Sequence, residues 1–195
     1  QLLLTAAQDN TVYLWRVNGQ RYADLTGHTD TVSCALFMPD GRGVLTLCRD
    51  GTATLWSQSG AKHSTLLPLQ DLVVSGALST CGRYLATASI DGSAMICGRD
   101  GRPRAVLKHS DAALTGCCFS PNQDLVLVTG SDGVAVVWET SGGKRAVLRS
   151  HQDVISSGCF SPDGQLLLTT SWDGSAYLCS ADTTQGRRLE GHSSA

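Results

Sequence analysis

The chain has 195 residues, with fifteen Lys and Arg against seventeen Asp and Glu for a net charge of -2. At 42% hydrophobic and 16% charged residues it is too apolar for a disordered segment. No apolar run approaches the roughly 18 residues of a membrane span, and the balanced charge gives no general attraction to nucleic acid. Twenty-one glycines, and no long stretch of apolar residues at helical spacing, point to an all-β chain rich in turns.

The elements recur with a fixed period. Asp9, Asp50, Asp91, Asp132 and Asp173 stand 41 residues apart, and the last four are each followed by Gly. Six positions after each Asp come Trp15, Trp56, Cys97, Trp138 and Cys179, each preceded by an apolar residue. Leu25, Leu66, Leu107, Leu148 and Leu189 form another ladder, and Phe37, Leu78, Phe119 and Phe160 a fourth. A period of this length marks a repeat architecture.

In chain order, residues 1–27 open with LLLTAA in the middle of a strand and form a first, partial unit of three strands. Four complete units follow at 28–68, 69–109, 110–150 and 151–191, and 192–195 begin another. The 28–68 unit breaks into VSCALF, VLTLC, TATLW and KHSTL, separated by turn residues, which predicts four antiparallel strands. Asp-Gly between the second and third strands predicts a two-residue hairpin turn. The outermost strands carry Arg21, Lys62, Arg104, Lys144, Arg145 and Arg187, charges that discourage edge pairing.

A lone four-stranded sheet leaves both faces wet, so these units must stack, and radial stacking makes a β-propeller. The chain holds about 4.8 periods of 41 residues. An open edge at each end is a liability, so two or more further blades are expected beyond these units.

The period, the Gly27-His28 and Gly191-His192 dipeptides, the SPDG turn at Ser161 to Gly164 and the Asp-to-Trp spacing resemble the WD repeat family over the whole chain. The resemblance implies about seven blades, each held by a buried tetrad of His, Ser or Thr, Asp and Trp. Carried over by position, the second unit has His28, Cys48, Asp50 and Trp56, and the third Leu69, Ser89, Asp91 and Cys97. The fourth has His109, one residue early, with Gly130, Asp132 and Trp138; the fifth has His151, Ser171, Asp173 and Cys179. On this reading no tetrad is complete, and His28, His151 and His192, which share one repeat position, each bond the turn Asp of their blade.

Catalytic constellations are absent from the sequence. Gly143-Lys144 is followed by Arg145 and does not complete a phosphate loop, and there is no HExxH, GxSxG or CxxC. No catalytic, cofactor or metal-binding residue is assigned, since equivalent His residues on different blades lie too far apart for one coordination shell. The basic residues Arg99, Arg102, Arg104 and Lys108 read as a solubilising outer strand and its turn. The eight cysteines fall mostly inside strands and read as reduced packing residues, which predicts an intracellular, cytoplasmic protein, with the nucleus and cilium as alternatives.

Function is therefore expected from surface. In the family resembled, partners bind the face formed by the turn before the repeat Asp and the loop entering the innermost strand. Gln8, Arg49, Ile90, Ser131 and Trp172 precede the Asp residues. Thr31, Leu72, Ala113 and Val154, then Ser33, Val74, Thr115 and Ser156, occupy the loop positions. Trp172, Arg49, Ile90, Leu72 and Val154 are the expected partner-binding residues, with Trp172 foremost because a turn offers an indole no obvious core. The expected partners are proteins or peptides, with no nucleic acid and no membrane insertion. The expected role is a non-catalytic interaction scaffold within a multiprotein complex. The alternatives are the sensor propeller of a larger nucleotide-driven signalling ATPase and an architectural repeat of a cytoskeletal or ciliary assembly.

Overall fold

The computed structural model describes residues 1–66, 72–122, 124–182 and 185–191, so Leu69 and His192 lie outside the described residues. The first sheet contains β1 (Leu2–Ala6), β2 (Val12–Arg16) and β3 (Arg21–Asp24). The second contains β4 (Val32–Phe37), β5 (Gly43–Cys48), β6 (Ala53–Ser57) and β7 (Lys62–Leu66). The third contains β8 (Val73–Leu78), β9 (Tyr84–Ser89), β10 (Ser93–Gly98) and β11 (Pro103–Lys108). The fourth contains β12 (Leu114–Phe119), β13 (Leu125–Gly130), β14 (Ala135–Glu139) and β15 (Lys144–Leu148). The fifth contains β16 (Ile155–Phe160), β17 (Leu166–Ser171), β18 (Ala176–Ser180) and β19 (Gly186–Leu189). Every sheet is an antiparallel meander in chain order, as the 41-residue unit predicts. No helix long and apolar enough to cross a membrane occurs among the described residues.

The sheets pack as propeller blades. β4, β8, β12 and β16 lie side by side as inner strands, β1 packs on β4, and β3, β7, β11, β15 and β19 are outermost. Four apolar clusters hold the stack, and each joins two consecutive sheets. Val12, Leu14 and Leu25 meet Val32, Val44 and Trp56; Leu45 and Leu47 meet Val73, Leu85 and Cys97. Ala88 and Ile96 meet Leu114, Val126 and Trp138, while Leu127 and Val137 meet Ile155, Leu167 and Cys179. β5 and β13 are buried along their whole length because a neighbour covers each face, which explains their unbroken apolar runs. The inner strand β8 lies so close to the second strand β5 of the preceding sheet that a Cβ at Gly76 would stand 2.0 Å from Leu47 Cδ1.

The outward faces of the end sheets are less covered. Leu3 on β1 is 55% exposed, whereas Val44, one period later, is fully buried. Leu166 and Leu189 of the fifth sheet are also exposed.

The turns between second and third strands differ from expectation by one residue. Cys48 N–H bonds Thr52 O at 2.9 Å, so Arg49, Asp50 and Gly51 form a three-residue loop rather than a two-residue Asp-Gly turn. Gly51 alone of the three has a positive φ, +79°, whereas a two-residue type I′ turn needs two such residues. Gly92, Gly133 and Gly174 repeat this, and Asn10 takes the same left-handed conformation in the first sheet. The repeat Asp caps the loop by accepting the N–H two residues on: Thr11, Thr52, Ser93, Val134 and Ser175 at 2.9 to 3.1 Å.

Candidate protein-interaction face

The turns after the second strands and the connections that enter the inner strands meet along one rim, and the backbone fixes their pairing. Arg49 N–H donates to Thr31 O (2.9 Å), Ile90 to Leu72 O (3.2 Å), Ser131 to Ala113 O (2.8 Å) and Trp172 to Val154 O (3.0 Å). Leu72 N–H also donates to Arg49 O at 3.1 Å, and Thr31 Oγ1 to Gln8 O at 3.5 Å, so the bonds cross from one sheet to the next. Leu72 has φ +54°, a left-handed conformation that is uncommon for a branched side chain. The two sets of residues expected at a partner face are therefore neighbours in space.

The third set, Ser33, Val74, Thr115 and Ser156, sits one residue into the inner strands. Each is the extra residue of a bulge, for example where Val32 faces Cys48 and Cys34 faces Leu47. Bulges re-aim side chains, and here the Ser33 hydroxyl turns onto Leu47 O and that of Ser156 onto Thr170 O, both at 3.2 Å.

Trp172 is 60% exposed, and its indole has no hydrogen bond or ring contact among the described residues. Leu72 and Ile90 are also exposed, while Arg49 and Val154 are half-buried.

Beneath the rim, the structure corrects the expected tetrads. In the second sheet Trp56 Nε1 donates to Thr46 Oγ1 at 2.8 Å, and the same hydroxyl pairs with His28 Nε2 at 2.8 Å. The hydroxyl of the tetrad is thus Thr46, four residues before Asp50, and Cys48 is not its counterpart. The Cys48 thiol, higher on the strand, donates to Asp30 O at 3.2 Å. In the fifth sheet Thr169 Oγ1 pairs with His151 Nε2 at 2.8 Å, while Ser171 Oγ donates to Asp153 O at 3.0 Å and accepts Asp173 N–H at 3.1 Å. Ser171 thus serves the loop and not the imidazole, and Ser89 Oγ likewise accepts the N–H of its loop Asp91 at 3.3 Å. In the first sheet Trp15 Nε1 donates to Thr5 Oγ1 at 2.8 Å.

The expected imidazole-to-Asp contact forms unevenly. His151 Nδ1 lies 3.5 Å from Asp173 Oδ2 and 3.2 Å from Ser175 Oγ, a residue the sequence reading missed. His109 Nε2 reaches Asp132 Oδ1 at 3.3 Å, while Asp50 accepts from Thr29 Oγ1 at 2.6 Å. Burial pushes the Asp50 carboxyl up, but the bonds from Thr29 and Thr52 outweigh it and hold the group at about 2. Asp173 is likewise held well below the usual carboxylate range: burial opposes the shift, and bonds from Ser175 and Gln152 with the nearby Arg188 guanidinium outweigh it. Burial pushes His28 and His151 below the usual imidazole value. These groups anchor turns.

The basic cluster is largely occupied. Arg99 pairs with Asp40 at 3.0 Å, Arg102 with Asp100 at 3.6 Å and Lys108 with Asp111 at 3.5 Å, while Arg104 lies over the Tyr84 ring.

A search of curated proteins found no match. The family model of the WD domain, G-beta repeat, matches residues 19–57, 101–139 and 142–180, together more than half of the chain. Each matched segment begins in the turn that leads into the outer strand of one sheet and ends in the third strand of the next, so each sequence repeat ties two sheets together. Domains built from such repeats serve as protein-interaction scaffolds. The chain belongs to the WD40 repeat family.

Proposed function

We propose that the chain is a non-catalytic interaction module that holds protein or peptide partners on its rim as a subunit of a larger assembly. The observation that carries this reading is Trp172, an exposed indole in a turn whose own N–H is pinned to Val154 O. A large rigid side chain held out to solvent on a fixed backbone loses little entropy on binding, which suits Trp as an interface anchor, while Arg anchors through its planar fork of donors. Arg49, Leu72 and Ile90 extend the face across the second and third sheets. The exposed Leu3 of the first sheet and Leu166 and Leu189 of the fifth support further blades on either side, up to a ring of about seven.

The thiols support an intracellular, cytoplasmic setting. Burial pushes Cys97 and Cys179 up to about 11 and Cys118 up to about 12, so they pack as unreactive apolar groups.

Trp172→Ala and Arg49→Ala test the reading by affinity capture from cell extract together with thermal unfolding. Each variant is expected to lose a partner that the parent captures while its unfolding midpoint stays put. Unchanged capture by both variants would sink this face.

A further inference from the structure

The rim carries a charge that the rest of the chain does not. Its turns and connections hold the five repeat aspartates together with Asp30, Asp111, Asp153 and Glu190, nine carboxylates among the described residues, against Arg49, Arg149 and two outer-strand cations that reach it, Lys108 on Asp111 and Arg188 on Asp173. The whole chain is only -2, so the remaining surface is net positive, with its cations on the outer strands and the opposite turns. The hydrogen bonds that cap the loops keep the repeat carboxylates ionised, against the opposing effect of burial in the third and fourth sheets. Asp111 has a side chain 97% exposed, so its pairing with Lys108 is largely screened.

Apolar side chains break this acidic rim at two stations. One is Leu72 with Ile90, joined by the backbone bond at 3.2 Å and flanked by Arg49. The other is Trp172 with Val154, next in the chain to Asp173 and Asp153. Between them the fourth sheet presents the small residues Ser131 and Ala113. An open indole face among carboxylates is a seat for a cation, because the ring quadrupole and the surrounding charge attract the same sign. A station flanked by a guanidinium suits an uncharged side chain instead.

We propose that the rim binds a cationic peptide segment, with a Lys or Arg side chain seated on Trp172 and an aliphatic side chain on Leu72 and Ile90. This rests on the rim being the partner face and adds the chemistry of the partner. A polyanion or an anionic lipid surface meets the wrong sign of charge here.

The test is fluorescence anisotropy with the full chain and three labelled hexapeptides, RLRLRL, RGRGRG and ELELEL. RLRLRL is expected to bind tightest, with RGRGRG about fivefold weaker for want of the aliphatic contact and ELELEL more than about tenfold weaker. Trp172→Ala is expected to weaken RLRLRL about tenfold, and Asp153→Lys about threefold. Asp153 is exposed, so its variant keeps the test open should Trp172→Ala fail to fold. If ELELEL binds as tightly as RLRLRL and still depends on Trp172, the cationic class is overturned and the face stands. Equal binding of RGRGRG and RLRLRL removes the aliphatic station and overturns the proposal as well. Failure of RLRLRL to bind overturns the cationic class, and binding unchanged in both Trp172→Ala and Leu72→Ser overturns the face itself.

Discussion

The second and fourth sheets share register, turn and indole, yet differ in the polar groups at their centre. In the second, Thr46 stands between Trp56 and His28 and satisfies both. In the fourth, Val128 occupies the equivalent place, His109 enters one residue early, and Trp138 Nε1 and His109 Nδ1 are buried without a partner among the described residues. The His109 side chain is 1% exposed, and a buried unpaired donor costs about 1–3 kcal/mol. The fourth sheet is nonetheless among the best buried in the chain, with Val126, Leu127, Val128, Val136 and Val137 all in its core. Apolar contact between sheets therefore holds a blade together even where the polar centre is broken, and the tetrad refines the blade rather than creating it.

Exchanging the two central residues tests this most directly. Thr46→Val strands the Trp56 indole N–H and the His28 ring nitrogen together, and is expected to destabilise by about 2–4 kcal/mol, read as a fall in urea midpoint at constant slope. Val128→Thr is nearly isosteric and supplies the missing hydroxyl beneath Trp138. It is expected to stabilise by about 1 kcal/mol. If both substitutions destabilise equally, the site is governed by packing shape and the hydroxyl contributes nothing.

The same pair of sheets shows what was legible in the sequence. The strands of the second unit run as the apolar segments indicated, and the turn ladder at Asp9 through Asp173 recurs in space as a ladder of loop caps. The hydroxyl was misplaced because Cys48, Ser89, Gly130 and Ser171 lie on the same strand face as the true positions, two residues along. Alternation fixes the face of a side chain and leaves its depth open. Depth follows from cross-strand register: Trp56 pairs with Val44, which puts its indole diagonal to Thr46 and out of reach of Cys48. A signal was present, since Thr5, Thr46, Thr87, Val128 and Thr169 form their own 41-residue ladder. The extra residue in each turn was not readable from Asp-Gly alone, which serves two-residue and three-residue loops alike.

The histidines sharpen the comparison through pH. Burial lowers the imidazole value of His151 in the folded state below its ordinary 6.5, so the unfolded chain binds the proton more readily. Stability is then unaffected above that value and is lost as pH falls through it toward the folded value. His28 acts in the same direction. Urea midpoints measured from pH 7.5 down to 5 are expected to fall, and His151→Gln is expected to flatten the fall. An unaltered slope in that variant would assign the acid sensitivity elsewhere.

The third sheet offers the complementary experiment. Thr87 Oγ1 is buried without a partner among the described residues, and Cys97 stands where an indole would donate to it. Here the hydroxyl remains although the group that used it is gone, the reverse of the fourth sheet. Thr87→Val removes an unsatisfied oxygen and keeps the branched shape between the cross-strand partners Met95 and Gly76. The expected result is a midpoint unchanged or raised by up to about 1 kcal/mol, small because a Thr hydroxyl can relax its own rotor. Restoring the donor instead, with Cys97→Trp, is expected to destabilise despite the new hydrogen bond. Cys97 is fully buried against Leu47, Leu85 and their cluster, and forcing a larger side chain into a filled core costs about 1–3 kcal/mol or more. A gain in stability from Cys97→Trp would reverse the conclusion that apolar packing, and not the polar centre, governs these blades.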